Sequence, residues 1–134
     1  EMSTNEYLID TNILIYHTKG SQHTITFITD LINKHAFNIS ILTKIEFLGW
    51  DKHTPDGYEK CERLLEHATV YQLDDIIADK TIELKRKLNI KLADAIIAAT
   101  AISNNLKLLT RNIDDFKMID ELEVMNPFES GEII

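Results

Sequence analysis

Residues 91–110 read KLADAIIAATAISNNLKLLT, and this stretch decides the fold. From Leu92 to Ile102 the chain is apolar almost all the way round a helix, with small alanines that permit close approach, so the helix should be buried against a sheet. Leu106 to Thr110 then reads as a strand. Within the helix stands one carboxylate, Asp94. An ionised acid there costs several kcal/mol unless it is paired, hydrogen-bonded or bound to a metal. It could cap its helix, but its setting favours a part in chemistry.

Moving outward, strand and helix alternate along the whole chain. Tyr7–Asp10 (YLID) is a first strand, followed by TNILIYHTKG as helix ending near Gly20. Ile25, Ile28, Leu31 and Ile32 recur at helical spacing between Ser21 and His35, and Phe37–Leu42 (FNISIL) alternates as a second strand. Thr43–Trp50 re-enters helix. His53–Gly57 (HTPDG) is turn chemistry, and Tyr58–His67 is an amphipathic helix. Ala68–Leu73 makes a third strand, Asp74–Leu88 a long helix, Leu106–Thr110 the fourth strand, and Glu123–Met125 a candidate short fifth. This order predicts an α/β fold with a mostly parallel sheet covered on both faces. With 134 residues and 44% hydrophobic side chains, one domain without a linker is expected. Glu1 ahead of Met2 reads as an appended residue, and Glu129–Ile134 offers little to pack.

No apolar run of about eighteen residues and no basic-then-apolar leader is present, which points to a soluble, cytoplasmic protein. Cys61 shares a helix face with Leu64, Leu65 and Ala68 and reads as a core thiol. His17, His23, His35, His53 and His67 are scattered and read as surface or core residues. Twenty-two acidic against 14 basic residues give a net charge of -8, the wrong sign for gripping nucleic acid by bulk electrostatics. The sign matters less if the acids gather where divalent cations bind, because the metal inverts the local potential. Lys85, Arg86, Lys87 and Lys91 cluster, as a solvated helix face or as phosphate contacts.

In a parallel sheet, ligands collect at the carboxyl ends of the strands. The acids fall at that edge. Asp10 closes the first strand, where it could also be an N-cap. Glu46 follows the second, three residues after Thr43, a spacing shared by the capping box. After the fourth strand come Thr110-Arg111-Asn112-Ile113-Asp114-Asp115, in which Asp114 or Asp115 could cap a short turn. Three or four acids at one edge repel and raise each other's pKa unless cations sit between them. Magnesium suits such a set: it prefers oxygen ligands, keeps several waters and takes one or two carboxylates per ion. Such ions activate water for in-line attack on a phosphodiester.

YLIDTNILI, LTKIEFLGW, KLADAIIAATAISNNLKLLTRNIDDF and EVMNPF together resemble the PIN-domain family, and within it the VapC-type toxins of bacterial toxin–antitoxin pairs. The resemblance runs over nearly the whole chain. It implies a three-layer α/β/α sandwich with four or five strands, a magnesium-dependent (or manganese-dependent) endoribonuclease acting on RNA, a cognate antitoxin that occludes the site, and a homodimer. Carried over residue by residue, it makes Asp10 and Asp94 the metal ligands and Glu46 the third acid. Where some relatives carry aspartate two residues after the threonine, this chain has Asn112. That leaves Asp115, or Asn112 through its amide oxygen or a water, to fill the fourth position. Thr11, Asn12 and Thr110 become supporting residues, with local turn or cap bonding as their plainer reading.

Other classes fit less well. A receiver or phosphatase domain wants a further acid beside the first, where Thr11 and Asn12 stand. A phosphate-cradling glycine loop, a GxSxG elbow, HExxH and paired cysteines are all missing. A non-catalytic module that keeps the fold and only pairs with a partner protein is the remaining alternative, and the full acid set argues against it.

Overall fold

Tyr7, Leu8 and Ile9 form the strand around which the molecule is organised. The computed structural model describes residues 6–128; Glu1 and the closing stretch 129–134 lie outside the described residues. In chain order the elements are β1 (Tyr7–Ile9), α1 (Thr11–His17), α2 (Gln22–Asn33), β2 (Asn38–Ser40), α3 (Ile41–Leu48), α4 (Pro55–Leu65), β3 (Thr69–Tyr71), α5 (Asp75–Lys87), α6 (Leu92–Ser103), β4 (Lys107–Leu109), a 3-10 turn (Ile113–Asp115) and β5 (Val124–Met125). The five strands lie in the order β3-β2-β1-β4-β5, and every pairing is parallel. Leu8 stands opposite Leu108 and Ile9 opposite Leu109. From β1 the chain crosses to β2 on one side and later returns to β4 on the other. The gap beyond the carboxyl ends of β1 and β4 is therefore the point where the direction of winding reverses and ligand crevices form.

Each strand residue faces the side opposite to its neighbour, so β1 feeds two cores. Tyr7 and Ile9 pack with Ile13 and Leu14 of α1, Phe27 and Leu31 of α2 and Phe47 of α3. Leu8 packs with Ile77, Leu84 and the alanines of α6 on the other face. This is the three-layer arrangement expected. Burying one such aliphatic side chain contributes about 1.5–3 kcal/mol, and truncating Ile9 or Leu108 to alanine would cost about 2–5 kcal/mol. In α6 the alanines at 95, 98, 99 and 101 are fully buried. The helix surfaces at its start, however: Leu92 is 59% exposed and Asp94 is half-buried. Asp94 thus sits where buried helix meets the open edge of the sheet.

Several boundaries differ from the sequence reading for local reasons. The second strand ends at Ser40, whose hydroxyl accepts the Leu42 amide at 3.0 Å and caps α3 two residues earlier than expected. The Thr43–Glu46 spacing is therefore no capping box, and Glu46 lies in the body of the helix. HTPDG is only half a turn: Thr54 caps α4, and Pro55 takes the first helical position, where its missing N–H costs nothing. Cys61 is buried, as expected of a core thiol. Lys85, Arg86, Lys87 and Lys91 are exposed; Lys85 donates to the Ile90 carbonyl and Lys87 pairs with Glu83, the behaviour of a solvated face. Among the described residues no helix is long and apolar enough to cross a membrane.

Candidate active site

Asp10 is the first residue past β1 and only 8% exposed. Its Oδ1 accepts the Thr11 amide at 2.8 Å, so it does cap α1. Its Oδ2 does something a cap does not need: it accepts the Thr110 hydroxyl at 2.8 Å and the Asn12 side-chain amide at 3.2 Å. Thr110 is the residue after β4 and is fully buried. Its oxygen also accepts from Asn12 Nδ2 at 3.1 Å and from the Asn112 backbone at 3.0 Å, which uses its one donor and both lone pairs. Asn12 Oδ1 in turn accepts the Arg111 amide at 3.1 Å. Thr110 and Asn12 therefore tie the ends of β1 and β4 together and fix Asp10 between them.

Glu46 comes from α3. Its Oε1 accepts the Thr11 hydroxyl at 2.6 Å, and the Thr11 oxygen lies 3.1 Å from the Thr43 hydroxyl, so this exposed acid is held by α1. Asp94, in the first turn of α6, makes no side-chain hydrogen bond among the described residues.

The acids sense one another. Burial pushes the Asp10 carboxyl up to about 6, against the hydrogen bonds from Thr110 and Thr11 that pull it down, and the charges of Asp94 and Glu46 push it further up. Asp94 is also raised, chiefly by burial, then by Asp115; Lys91 opposes this and Glu46 adds to it. Asp10, Glu46 and Asp94 line one open pocket of about 450 Å³ with Asn112 at its edge. Asp115 borders the neighbouring cleft beside Asn126 and reaches the site through its charge on Asp94. Asp114 borders the same cleft, but its side chain is 89% exposed and lies 3.8 Å from the Lys117 ammonium. Size alone does not find this site: a cavity of about 480 Å³ between α3 and α4 is lined largely by exposed side chains such as Lys44, Glu59 and Glu62.

Among the described residues no three acidic, imidazole or thiol groups converge tightly enough to enclose an ion by themselves. Magnesium asks for less than an enclosing set: it takes one or two carboxylates and fills its other positions with water and phosphate oxygens. Asp10 has about four acceptor positions and uses three, while Asp94 keeps all of its own. An all-oxygen set of two charged ligands fits a hard divalent cation.

Five further residues of the pocket wall were not singled out by sequence reasoning: Ile15, Tyr16, Lys19, Trp50 and Arg111. The Arg111 guanidinium lies over the Tyr16 ring, 4.0 Å from its centroid. A signal existed for Tyr16, which stands four residues after Asn12 in α1 and so shares its helix face.

Fold and site together define a parallel α/β domain carrying an oxygen-rich acid pocket at the switch point of its sheet. The chain belongs to the PIN domain family, whose model matches residues 7–122. It is 28% identical over 121 residues to "Ribonuclease VapC10" of Mycobacterium tuberculosis, covering 87% of this chain and 90% of that protein. A shorter match, 51% over 41 residues and 31% of each chain, is to "Ribonuclease VapC" of Rickettsia bellii. Among solved structures, a toxin–antitoxin complex from Klebsiella pneumoniae superposes with a TM-score of 0.75 at 29% identity, covering 92% of this chain and 99% of that one.

Proposed function

We propose that the chain is a divalent-metal-dependent endoribonuclease, the toxin of a toxin–antitoxin pair, that hydrolyses RNA phosphodiester bonds. The observation that carries this reading is the meeting of Asp10 and Asp94, 84 residues apart in sequence, at one pocket where the charge of Asp94 raises the proton affinity of Asp10 and that of Glu46 raises both. Asp10 and Asp94 would hold magnesium, or manganese in its place, which when bound supplies activation of water and neutralisation of charge on the leaving oxygen.

The chain's own residues supply the rest. Thr110, Asn12 and the Thr11 amide fix the Asp10 carboxylate, so little reorganisation is needed when a cation replaces its proton. Glu46, held by the Thr11 hydroxyl, is a proton acceptor at the pocket edge. Asn112 presents a neutral amide at the fourth position, and Asp115 adds charge from the adjacent cleft. The names of the relatives support a ribonuclease acting on RNA, and the Klebsiella toxin–antitoxin complex supports a cognate antitoxin as partner; an antitoxin that occludes the pocket and a homodimeric toxin complete the proposal. An RNA substrate in turn supports a place in the cytoplasm.

The test is RNA cleavage by the purified protein with magnesium, with chelator, and by Asp10→Asn and Asp94→Asn. Cleavage should need the cation and fall at least about a hundredfold in each variant, in line with the loss of a group that stabilises transition-state charge. Equal cleavage by all three proteins would defeat the enzyme assignment and favour the non-catalytic module.

A further inference from the structure

We propose that the wall of the acid pocket formed by Trp50 and the Tyr16–Arg111 pair is a subsite for one unstacked nucleobase of single-stranded RNA, beside the phosphate that the acids address. This deepens the nuclease reading and rests on it only for the identity of the neighbouring chemistry.

Both sides of the subsite are held in place before any ligand arrives. Half-buried Trp50 meets the edge of the His53 ring, with centroids 5.1 Å apart at 85°. His53 is itself fixed, because its Nε2 lies 2.7 Å from the Phe47 carbonyl and its ring packs edge-on against Phe47. Across the pocket, Tyr16 packs against Phe128 with centroids 5.8 Å apart, and Phe128 packs in turn on Phe27 of the core. Arg111 lies over Tyr16 while its backbone is anchored to Asn12.

Arg111 makes no ion pair among the described residues, although the chain carries a net charge of -8. An arginine of a strongly acidic protein that is exposed, laid over an aromatic ring and left without a carboxylate presents a planar cation to an incoming group. The floor of the pocket is acidic and repels phosphate unless a cation intervenes, so the rings at its wall match the π-face of a base better than they match the backbone. A volume of about 450 Å³ lies within the range of pockets that take small ligands. Single-strand recognition uses this combination of aromatic rings and arginine planes, because bases in an A-form duplex are hidden in the stack. The same wall therefore selects unpaired RNA.

Trp50 is the chain's one tryptophan, so its fluorescence reports on this wall alone. The measurement is made on the parent protein with magnesium and with hydrolysis-resistant phosphorothioate RNA, so that both acids of the pocket stay in place while turnover is suppressed. A short single-stranded RNA should quench Trp50 saturably. The same strand in a duplex should bind about tenfold more weakly or worse, and an abasic strand of equal length should not quench. By anisotropy of a labelled strand, Trp50→Ala and Arg111→Ala should each lose about tenfold, while Arg111→Lys, which keeps the charge but not the plane, should recover only part of that loss. Equal binding of duplex and single strand, quenching by the abasic strand, or full recovery by Arg111→Lys would overturn the subsite. Quenching by an arginine-bearing peptide with none by RNA would give the wall to a protein partner and overturn it as well. Because binding is read without turnover, absent cleavage with intact quenching removes the nuclease reading and leaves the subsite standing, and the reverse removes only the subsite.

Discussion

The Thr110 hydroxyl, just past β4, donates to Oδ2 of Asp10, just past β1, across 2.8 Å and 100 residues of chain. Thr110→Val keeps the shape of the side chain, removes that donor and strands the Asn12 and Asn112 donors that the oxygen accepts. A loss of about 1–3 kcal/mol is expected in urea unfolding. The Asp10 pKa should also rise above its present value of about 6, because this hydrogen bond lowers it. Thr110→Ser should restore both.

Acidity gives a second expectation for the metal-free protein. Asp10 titrates at about 6 in the fold, from 3.8 as an isolated group. Between those values the folded state binds the extra proton, so the Asp10 contribution to stability is fully present below about pH 4, is lost as pH rises through 6 and is flat above. Two units of difference correspond to about 3 kcal/mol. Asp94 is shifted in the same direction and adds to it. Thermal melts in chelator from pH 4 to 8 should show this slope in the parent and a clearly shallower one in Asp10→Asn.

Magnesium should reverse that penalty. A cation that binds only the folded chain stabilises it by mass action, about 2.7 kcal/mol at a hundred times the dissociation constant. Millimolar magnesium should raise the melting temperature of the parent near pH 7 and leave the Asp10→Asn, Asp94→Asn double variant unchanged. An equal rise in both would place any bound ion elsewhere.

The fourth position separates two adjacent acids. Asp115 raises the Asp94 pKa, whereas Asp114 stands exposed beside Lys117. Asp115→Asn should lower the Asp94 pKa and weaken magnesium binding severalfold by calorimetry, and Asp114→Asn should do neither.

Legibility followed burial. The central strand YLI and the alanine-rich helix announced themselves because a parallel sheet buried on both faces reads as uninterrupted apolar sequence. Asp10, Glu46 and Asp94 could be picked out because carboxylates at strand ends and in apolar helices are costly without a partner. The start of α3 was misread because Ser40, a single small residue, outcompeted the more conspicuous Thr43–Glu46 spacing; caps are decided by local backbone geometry. Tyr16, Trp50 and Arg111 escaped notice because rings and arginines occur anywhere on a surface. Only the approach of Phe128, Tyr16 and Arg111, remote in sequence, turns them into a wall. Asp115 and Asn112 could not be ranked from spacing alone, since the 3-10 turn after Asn112 sets which side of the edge each one faces.

The central claim is that Asp10 and Asp94 share one divalent ion, and a crystal soaked in manganese tests it most directly. The account expects an anomalous peak in contact with a carboxylate oxygen of each, lost in Asp94→Asn. A peak bound elsewhere, or none at manganese concentrations that support RNA cleavage, would contradict it.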